Sequence, residues 1–308
     1  MNKVINILFV GGAKRYSFAK HLINAGNKLK YSVNIYSYEM GSCLPIESIA
    51  KVIQGKKFEH DSVLQDLENI IHKYSIQIAI PFHDNAISLM YKISDVVFTP
   101  VSDIDLIDIF SSKKKSVNFF MENNIPFPSF SKKTPAIAKP DKGSASKGII
   151  RFTNQSDLNI FLNSEQSLNY ETQDYISGPE YSVDCYVALN STFKYFAVRE
   201  RLEVLGGEVV KSRTVDIPEI EEICYRILNI SGMRGAITIQ LIYDKYNDSY
   251  CVMEINPRYG GGILTSWGAG VPWFEILLND FLHKKQGNFK HNKNICMVRS
   301  FREHFSKI

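Results

Sequence analysis

Apolar residues in the first hundred positions form short runs of the kind buried in a sheet, and helical patterns separate them. The strand candidates are Val4–Val10, Ser32–Tyr38, Ile76–Pro81 and Val96–Thr99. A helix is predicted from about Arg15 to Ala25, with Gly26 as its end. This alternation predicts a small parallel sheet with helices on both faces, and ligands bind such sheets beyond the carboxyl ends of the strands. The residues predicted at those ends are Gly11, Gly12, Glu39 and Phe82–Asp84.

From about Ser111 the pattern changes, and runs typical of antiparallel strands dominate. A helix is predicted from Lys113 to Asn123, and the prolines of Ile125–Pro128 stop it. The later strand candidates are Ala136–Lys139, Gly148–Phe152, Tyr170–Ile176, Glu180–Leu189, Phe193–Arg201, Glu208–Val215, Ala236–Tyr243 and Tyr250–Asn256. The later helix candidates are Asp157–Asn163, Pro218–Ser231 and Val271–Lys285. The change predicts a second, α+β region that begins near residues 100–112.

Composition is that of an ordinary globular protein and narrows the range of partners. The 308 residues are 44% hydrophobic and 22% charged, and 36 basic against 32 acidic residues leave a formal net charge of +4. That surplus is too small to indicate a nucleic-acid partner. The five cysteines form no C-x-x-C pair, which favours a reducing cytoplasm. No apolar run approaches the roughly 18 residues of a membrane span, so we expect a cytoplasmic protein without a membrane partner.

The segment from Lys139 to Gly148 joins a strand candidate to a loop of small residues between two glycines. Such a loop can bring backbone N–H groups close to phosphate oxygens, while its lysines neutralise charge. It is not a Walker A motif, because Ile149 follows Gly148 where that motif has lysine. A hairpin with solvated lysines explains the same residues, so both interpretations stay open at this point.

A Ser-Gly-Pro turn at residues 177–179 separates two further strand candidates. Alternation places Glu180, Ser182 and Asp184 on one face of the second strand. Glu180 is therefore either a carboxylate that accepts hydrogen bonds from a ribose or a simple polar strand position.

Two strand candidates that flank a turn near Asn247 carry the strongest signal. Antiparallel pairing about this turn puts Gln240 opposite Glu254, and Asn256 shares the face of Glu254. Three oxygen donors would then converge from adjacent strands, which suits Mg²⁺ held jointly by protein and phosphates. Arg258 follows directly and adds a donor of the kind that binds phosphate. A solvated polar face is the alternative interpretation.

A group of cations lies on two strand candidates that are joined around Gly206–Gly207: Arg199, Arg201, Lys211 and Arg213. Cations that converge across a hairpin repel one another unless an anion lies between them. The cluster therefore indicates either an anion site or two solvated edge strands. The sequence contains no G-x-S-x-G elbow and no cysteine with an evident histidine partner, so covalent catalysis by a protein nucleophile has no support.

In their order along the chain, these segments resemble the ATP-grasp superfamily, in particular small ligases similar to the ATP-binding half of the carbamoyl phosphate synthase large subunit. The resemblance runs from Ile7–Gly12 to Glu254–Arg258 and covers essentially the whole chain. It implies a Rossmann-like domain over residues 1–102 that precedes a two-lobed ATP-grasp fold. The small lobe with the phosphate loop would span 103–173, and the C-terminal lobe with the metal site would span 174–308.

The resemblance also implies roles for individual residues. The ATP-binding residues would be Lys113, Lys139, Gly143, Ser144, Ser146, Lys147, Gly148, Gln173, Asp174, Tyr175, Ile176 and Glu180. Among them, the two leading lysines would contact phosphates, the 143–148 loop would close over them, residues 173–176 would face adenine, and Glu180 would hold the ribose. The ligands of Mg²⁺, or of Mn²⁺ in its place, would be Gln240, Glu254 and Asn256. The residues facing the γ-phosphate or an acyl phosphate would be Arg258, Arg201 and Lys211.

One departure from the family pattern affects the first of these lysines. The family often has aspartate before it, whereas Ser112 precedes Lys113 here, and Lys114–Lys115 follow. The sequence therefore leaves open which lysine of residues 113–115 contacts phosphate.

The resulting hypothesis is an ATP- and Mg²⁺-dependent carboxylate–amine ligase that forms an acyl phosphate and releases ADP and phosphate. Its partners would be a small carboxylate and an amine, with a thiol or hydroxyl as rarer acceptors, and a homo-oligomer is left open. One alternative is a non-catalytic nucleotide-binding or regulatory module of the same fold. Another is a dinucleotide-dependent oxidoreductase, which is disfavoured because Gly11–Tyr16 does not follow the G-x-G-x-x-G pattern.

Overall fold

A computed structural model describes residues 3–143, 147–190, 192–300 and 302–305 of the chain. Its first sheet consists of four parallel strands in the order β3-β2-β1-β4: β1 (Lys3–Val10), β2 (Tyr31–Glu39), β3 (Lys51–Gln54) and β4 (Ile78–Pro81). Side chains of β1 alternate between two apolar clusters, with Ile7 and Phe9 in one and Leu8 and Val10 in the other. Both faces are therefore buried, and the predicted parallel sheet is confirmed.

Helices cover both faces of this sheet. They are α1 (Tyr16–Lys28), α2 (Val63–Lys73), α3 (Asp84–Lys92) and α4 (Ile104–Phe110). Phe18 and Leu22 of α1 pack on one face, whereas Leu67 of α2 and Ala86 of α3 pack on the other.

Two local predictions in this domain were wrong. Gly26 does not end α1 but lies inside it, because a Cβ at this position would come 2.3 Å from Cγ2 of Val33, and only glycine allows that approach. Residues 96–99 do not form a strand. Phe98 instead makes an isolated parallel bridge to Ile78.

A small antiparallel sheet follows, in the order β6-β5-β7, after helix α5 (Lys113–Glu122). Its strands are β5 (Ala136–Pro140), β6 (Ile150–Phe152) and β7 (Tyr170–Asp174), and α6 (Gln155–Leu162) packs on it. Ser112 caps α5, since its hydroxyl accepts a hydrogen bond from the Lys115 N–H. Short 3₁₀ turns at Pro45–Ser48 and Glu165–Asn169 complete the connections.

The remaining strands form a large antiparallel sheet in the order β12-β11-β8-β9-β10-β13. They are β8 (Glu180–Val187), β9 (Lys194–Leu205), β10 (Glu208–Thr214), β11 (Gly235–Asp244), β12 (Ser249–Asn256) and β13 (Cys296–Val298). The helices of this lobe are α7 (Pro218–Leu228), α8 (Leu264–Gly268) and α9 (Trp273–Phe281). The predicted α+β region is therefore present, with antiparallel sheet dominant.

The first domain is docked on the large lobe through an apolar contact between α1 and α9. The ring of Phe18 lies 4.8 Å from that of Phe274 and 5.1 Å from that of Tyr259, measured between centroids. Lys28 and Glu275 add an ion pair at 2.9 Å at the edge of this contact. Within the described residues, no helix combines the length and apolar character required to span a bilayer.

Candidate active site

A cleft of about 1850 Å³ lies where the small sheet, the large sheet and the carboxyl end of the parallel sheet meet. Most of the described residues that the sequence assigned to a site line it, including Lys113, Lys139, Glu180, Glu254 and Arg258. These residues come from segments far apart in the chain, so the cleft is a product of the tertiary fold.

Strands β11 and β12 bring the proposed metal ligands together at one wall of the cleft. Gln240 pairs with Glu254 as the hairpin geometry predicts, and Thr238 pairs with Asn256. The Glu254 Oε1 atom accepts hydrogen bonds from Gln240 Nε2 at 2.5 Å and from Asn256 Nδ2 at 2.9 Å. One carboxylate and two amides therefore form a single cluster, half-buried at the wall of the cleft.

A β-bulge in β12 produces this alignment. The register shifts between Gln240 and Leu241, so that Leu241 pairs with Val252 and Met253 is the extra residue. Met253 therefore lines the cleft beside Glu254.

The donor set of this cluster fits a hard divalent cation. Rotation of the Gln240 and Asn256 amides would turn their oxygens toward an ion held by Glu254, and Mg²⁺ prefers such oxygen ligands together with phosphates and water. Within the described part of the chain, no three His, Cys, Asp or Glu side chains converge in a metal-binding group. A cation here would therefore depend on Glu254 for its protein carboxylate.

Lys139 projects from β5 into the cleft opposite this cluster. Its ammonium donates to Gln173 Oε1 at 3.1 Å. Burial lowers the pKa of Lys139, the nearby Glu254 carboxylate raises it, and the Lys113 ammonium lowers it further. The net result is a lysine whose charge is destabilised until an anion reaches it.

The structure distinguishes the three consecutive lysines at the start of α5. Lys113 lines the cleft, and its ammonium donates to the carbonyl of Gly143 at 3.1 Å. Lys114 instead donates to the Leu168 carbonyl, and Lys115 forms a 2.5 Å ion pair with Asp108. Lys113 is thus the member of the run that faces the cleft.

Asp141, from the loop after β5, lies beside the start of α5. Its Oδ1 atom accepts hydrogen bonds from the Ser112 hydroxyl at 2.6 Å and from the Lys114 N–H at 3.0 Å. Partial burial would raise the pKa of Asp141, but these two hydrogen bonds outweigh it and leave the pKa below its ordinary value. A carboxylate from the neighbouring loop thus fixes the start of α5.

The described ends of the glycine-bounded loop have different surroundings. Gly143 and Gly148 have φ values of 139° and 75°, in the region that favours glycine. Gly143 and Lys147 line the cleft, whereas Gly148 packs against Pro140. The predicted contacts of Ser144 and Ser146 fall outside the described residues.

The connection from β7 to β8 forms another wall, and Gln173, Asp174, Tyr175, Ile176 and Glu180 all line it. The Asp174 N–H already donates to the Ser129 carbonyl, and the Tyr175 N–H donates to the Pro135 carbonyl. These two N–H groups are therefore not free to bind a base. A base would instead contact the carbonyl groups of residues 173–176 and Ile176. The guanidinium of Arg151 stacks over the Tyr175 ring at 4.9 Å, a contact that the sequence did not reveal.

Two members of the predicted cationic cluster, Arg201 and Lys211, lie in different surroundings. Arg201 lines the cleft, where its Nε atom lies 3.2 Å from Glu180 Oε2, so it holds the carboxylate expected to bind ribose. Burial lowers the pKa of Arg201, and Glu180 opposes that shift. Lys211 is exposed on β10 and is not among the described residues that line the cleft. The register between β9 and β10 shifts on both sides of Lys211, so its side chain does not follow the simple alternation of the strand.

Arg258 connects the large lobe with the first domain. Its Nε atom donates to Asp84 Oδ1 at 2.5 Å, and both residues line the cleft. Asp84 begins α3 directly after β4, at the carboxyl edge where the sequence predicted ligand-binding residues. The structure therefore adds a partner for Arg258 that sequence spacing did not identify.

The carboxyl end of β2 bears on the dinucleotide alternative. Glu39 is 6% exposed, accepts a hydrogen bond from the Ser37 hydroxyl at 2.6 Å, and is also hydrogen-bonded by the N–H groups of Gly12 and Ala13. Burial raises the pKa of Glu39, and these hydrogen bonds partly offset that rise. The loop N–H groups that a pyrophosphate would need are thus occupied, which disfavours dinucleotide binding.

A parallel domain followed by a small antiparallel sheet and a large one, with a cleft between them, is the ATP-grasp architecture. The predicted ATP-grasp fold is therefore confirmed, and a family model supports the resemblance over part of the chain. Residues 172–303 match the family described as ATP-grasp in the biosynthetic pathway with Ter operon. The sequence has no match among curated proteins.

Solved structures share this fold over most of their length. The N5-carboxyaminoimidazole synthetase of Staphylococcus aureus, complexed with ADP, has a TM-score of 0.73 and 17% identity over 94% of this chain and 80% of that chain. The L-amino acid ligase of Bacillus licheniformis has a TM-score of 0.70 and 14% identity over 91% of this chain and 75% of that chain. A third structure is the biotin carboxylase domain of Hydrogenobacter thermophilus 2-oxoglutarate carboxylase, in complex with MgADP, ADP and bicarbonate. It has a TM-score of 0.73 and 13% identity over 94% of this chain and 72% of that chain.

Proposed function

We propose that the protein is an ATP- and Mg²⁺-dependent ligase that joins a small carboxylate to an amine and releases ADP and phosphate. The observation that carries this proposal is the convergence of Gln240, Glu254 and Asn256 on one wall of the cleft that Lys139 enters from the opposite lobe. The neighbours named above include a synthetase, a ligase and a carboxylase, which supports the same class of reaction.

The cleft offers a consistent position for ATP. The β7–β8 connection would hold adenine, Glu180 would bind the ribose, and Lys113 and Lys139 would bind the phosphates. Among the described residues proposed for the site, all but Gly148 and Lys211 line this cavity, and we propose no contact between Lys211 and the nucleotide. Arg201 is proposed as the residue that orients Glu180, on the basis of their 3.2 Å ion pair.

Glu254, Gln240 and Asn256 would hold Mg²⁺, which would neutralise charge on the phosphates when bound. A carboxylate resists attack by an amine, so ATP must first convert it to an acyl phosphate. Lys139 would stabilise charge on the transferring phosphoryl group, and Arg258 would stabilise the acyl phosphate. An amine would then attack the carbonyl carbon, the bond between that carbon and the phosphate oxygen would break, and the amine proton would leave with the phosphate or to water. No nucleophile from the protein is needed.

Phosphate release from MgATP tests this proposal directly. The assay would use a panel of carboxylic acids, amino acids and uronic acids, with and without amines. We expect release that depends on both an acid and an amine, and a loss of at least about 100-fold in kcat for Glu254→Gln, since this change removes the one carboxylate of the metal cluster. Glu122→Gln, at the exposed end of α5, makes the same chemical change away from the cleft and is the control.

The outcomes separate the alternatives. Release that is equal in the wild type and Glu254→Gln would contradict the metal assignment. Binding of ADP without stimulated release across the panel would favour a non-catalytic nucleotide-binding module. The cytoplasmic location and the option of a homo-oligomer stay predictions.

A further inference from the structure

An arginine that the sequence analysis did not single out reaches the cleft from the first domain. Arg15 immediately precedes α1, and its side chain is 16% exposed where it lines the cleft. Its Nη2 atom lies 3.8 Å from Glu208 Oε1 on β10, too far for a hydrogen bond. Glu208 has a closer partner, because Arg299 Nη1 lies 2.7 Å from its other oxygen. Arg15 therefore shares a carboxylate that another arginine already binds.

The surroundings of Arg15 carry more positive than negative charge. Arg15, Arg258 and Arg299 face two carboxylates, Glu208 and Asp84, within the same end of the molecule. Burial lowers the pKa of Arg15, Glu208 opposes that shift, and the two other arginines add to it. Burial alone would raise the pKa of Glu208, but its arginine partners outweigh this and keep it low. A partly buried site with a surplus positive charge favours the binding of an anion, because the anion neutralises that charge.

The glycine segment after Arg258 packs closely against two arginine side chains. An added Cβ at Gly261 would lie 3.4 Å from Arg15 Nη1, and one at Gly262 would lie 2.4 Å from the guanidinium carbon of Arg199. Arg199 is 1% exposed, and its Nε and Nη2 atoms donate to Asp184 at 3.0 and 3.1 Å, whereas its Nη1 atom has no hydrogen-bond partner among the described residues. Two arginines thus flank a segment that has no side chains and lines the cleft.

We infer that Arg15 is a specificity-determining residue that binds an anionic group, a carboxylate or a phosphate, of the non-nucleotide substrate. Glu208 acts as the internal counter-ion with which the substrate's anion competes. This inference rests on the proposed function, since it assigns the β7–β8 connection to adenine and the part of the cleft beside Arg15 to the second substrate. It defines the substrate class as small molecules with a negatively charged group that the first domain recognises.

Isothermal titration of the full-length chain, saturated with MgADP, tests the inference with two probe anions. Succinate is the probe in one arm and inorganic phosphate in the other, so the preferred arm identifies the source of the anionic group. The variants are Arg15→Gln and Glu208→Gln, with Arg226→Gln on the exposed face of α7 as the control for lost charge.

The two variants are expected to act in opposite directions. Arg15→Gln should weaken binding of the preferred probe by roughly tenfold, because a charge-assisted hydrogen bond is lost. Glu208→Gln should strengthen it by about threefold, because the competing carboxylate is removed. Arg226→Gln should bind the probe as the wild type does. A purely structural Arg15–Glu208 pair would instead make both variants weaker binders.

Binding of both probes to Arg15→Gln with wild-type affinity would overturn the inference, as would failure of both probes to bind the wild type. Weaker binding in Glu208→Gln would overturn the role of Glu208 as a competitor. If Arg15→Gln does not fold, Arg15→Lys keeps the charge without the forked donor, and it should bind the preferred probe more weakly than the wild type. Failure of the wild type to bind ADP would refute the proposed function, whereas normal ADP binding with Arg15-independent anion binding would refute this inference alone.

Discussion

At the scale of single residues, Lys139 links burial to the pH dependence of nucleotide binding. Burial and the Lys113 ammonium lower its pKa, so the free protein loses this charge at a lower pH than an exposed lysine does. We expect ADP affinity to fall as pH rises through the lowered pKa of Lys139, with uptake of a proton on binding, because bound phosphate restores the charged form. Lys139→Arg should remove this dependence, since arginine stays protonated throughout.

Calorimetric titration of ADP in two buffers with different ionisation enthalpies measures both the affinity and the proton uptake. Lys132→Arg makes the same change at an exposed position of the small lobe and should behave as the wild type does. An unchanged pH profile in Lys139→Arg would show that another group controls it.

At the scale of elements, the turn between β7 and β8 depends on one glycine. A Cβ at Gly178 would lie 1.9 Å from the Tyr243 carbonyl oxygen on β11, and backbone must move to admit it. Gly178→Ala should therefore reduce the free energy of unfolding by about 1–3 kcal/mol. It should also weaken ADP binding, because the turn sets the position of Glu180 relative to β7.

Thermal and denaturant unfolding measure the first effect. Gly268→Ala is the matched control, because its added Cβ meets nothing within 4 Å at the exposed end of α8. That change should be neutral or stabilising by about 0.4–1 kcal/mol. Equal midpoints for the two variants would contradict the close approach at Gly178.

At the scale of the whole molecule, Phe18 connects the first domain with the large lobe. Its ring packs against Phe82 in its own domain and against Tyr259 and Phe274 across the contact, at centroid distances of 4.8–5.1 Å. Phe18→Ala should lower the free energy of unfolding by about 3–5 kcal/mol. It should also separate the unfolding of the first domain from that of the large lobe, because the shared apolar contact is lost.

Differential scanning calorimetry would reveal this separation as a second transition. Ile160→Ala is the control, because Ile160 lies on α6 and is 68% exposed. This change removes apolar atoms that make no contact between domains, and it should change the free energy of unfolding by less than about 0.5 kcal/mol. A single transition at the wild-type temperature in Phe18→Ala would show that other contacts join the domains.

Local pairing explains which parts of the fold and site the sequence predicted. Most strand and helix positions were predicted within a few residues, because alternation and capping act over short distances. The pairing of Gln240 with Glu254 was predicted because a short hairpin turn fixes the register of its own strands. Helices α2, α3, α4 and α8 and strands β3 and β13 were missed, as was the position of Gly26 inside α1.

The sequence by itself predicted the ATP-grasp fold from the order of its motifs, and it predicted the pairing of Gln240 with Glu254 because a short hairpin fixes its own register. Only the tertiary structure selected Lys113 from three adjacent lysines, paired Arg201 with Glu180, turned Lys211 to solvent and brought Arg15 to the cleft. These outcomes depend on register irregularities and on contacts between segments distant in the chain. Such contacts form only when whole lobes pack together, and no local pattern of residues records them.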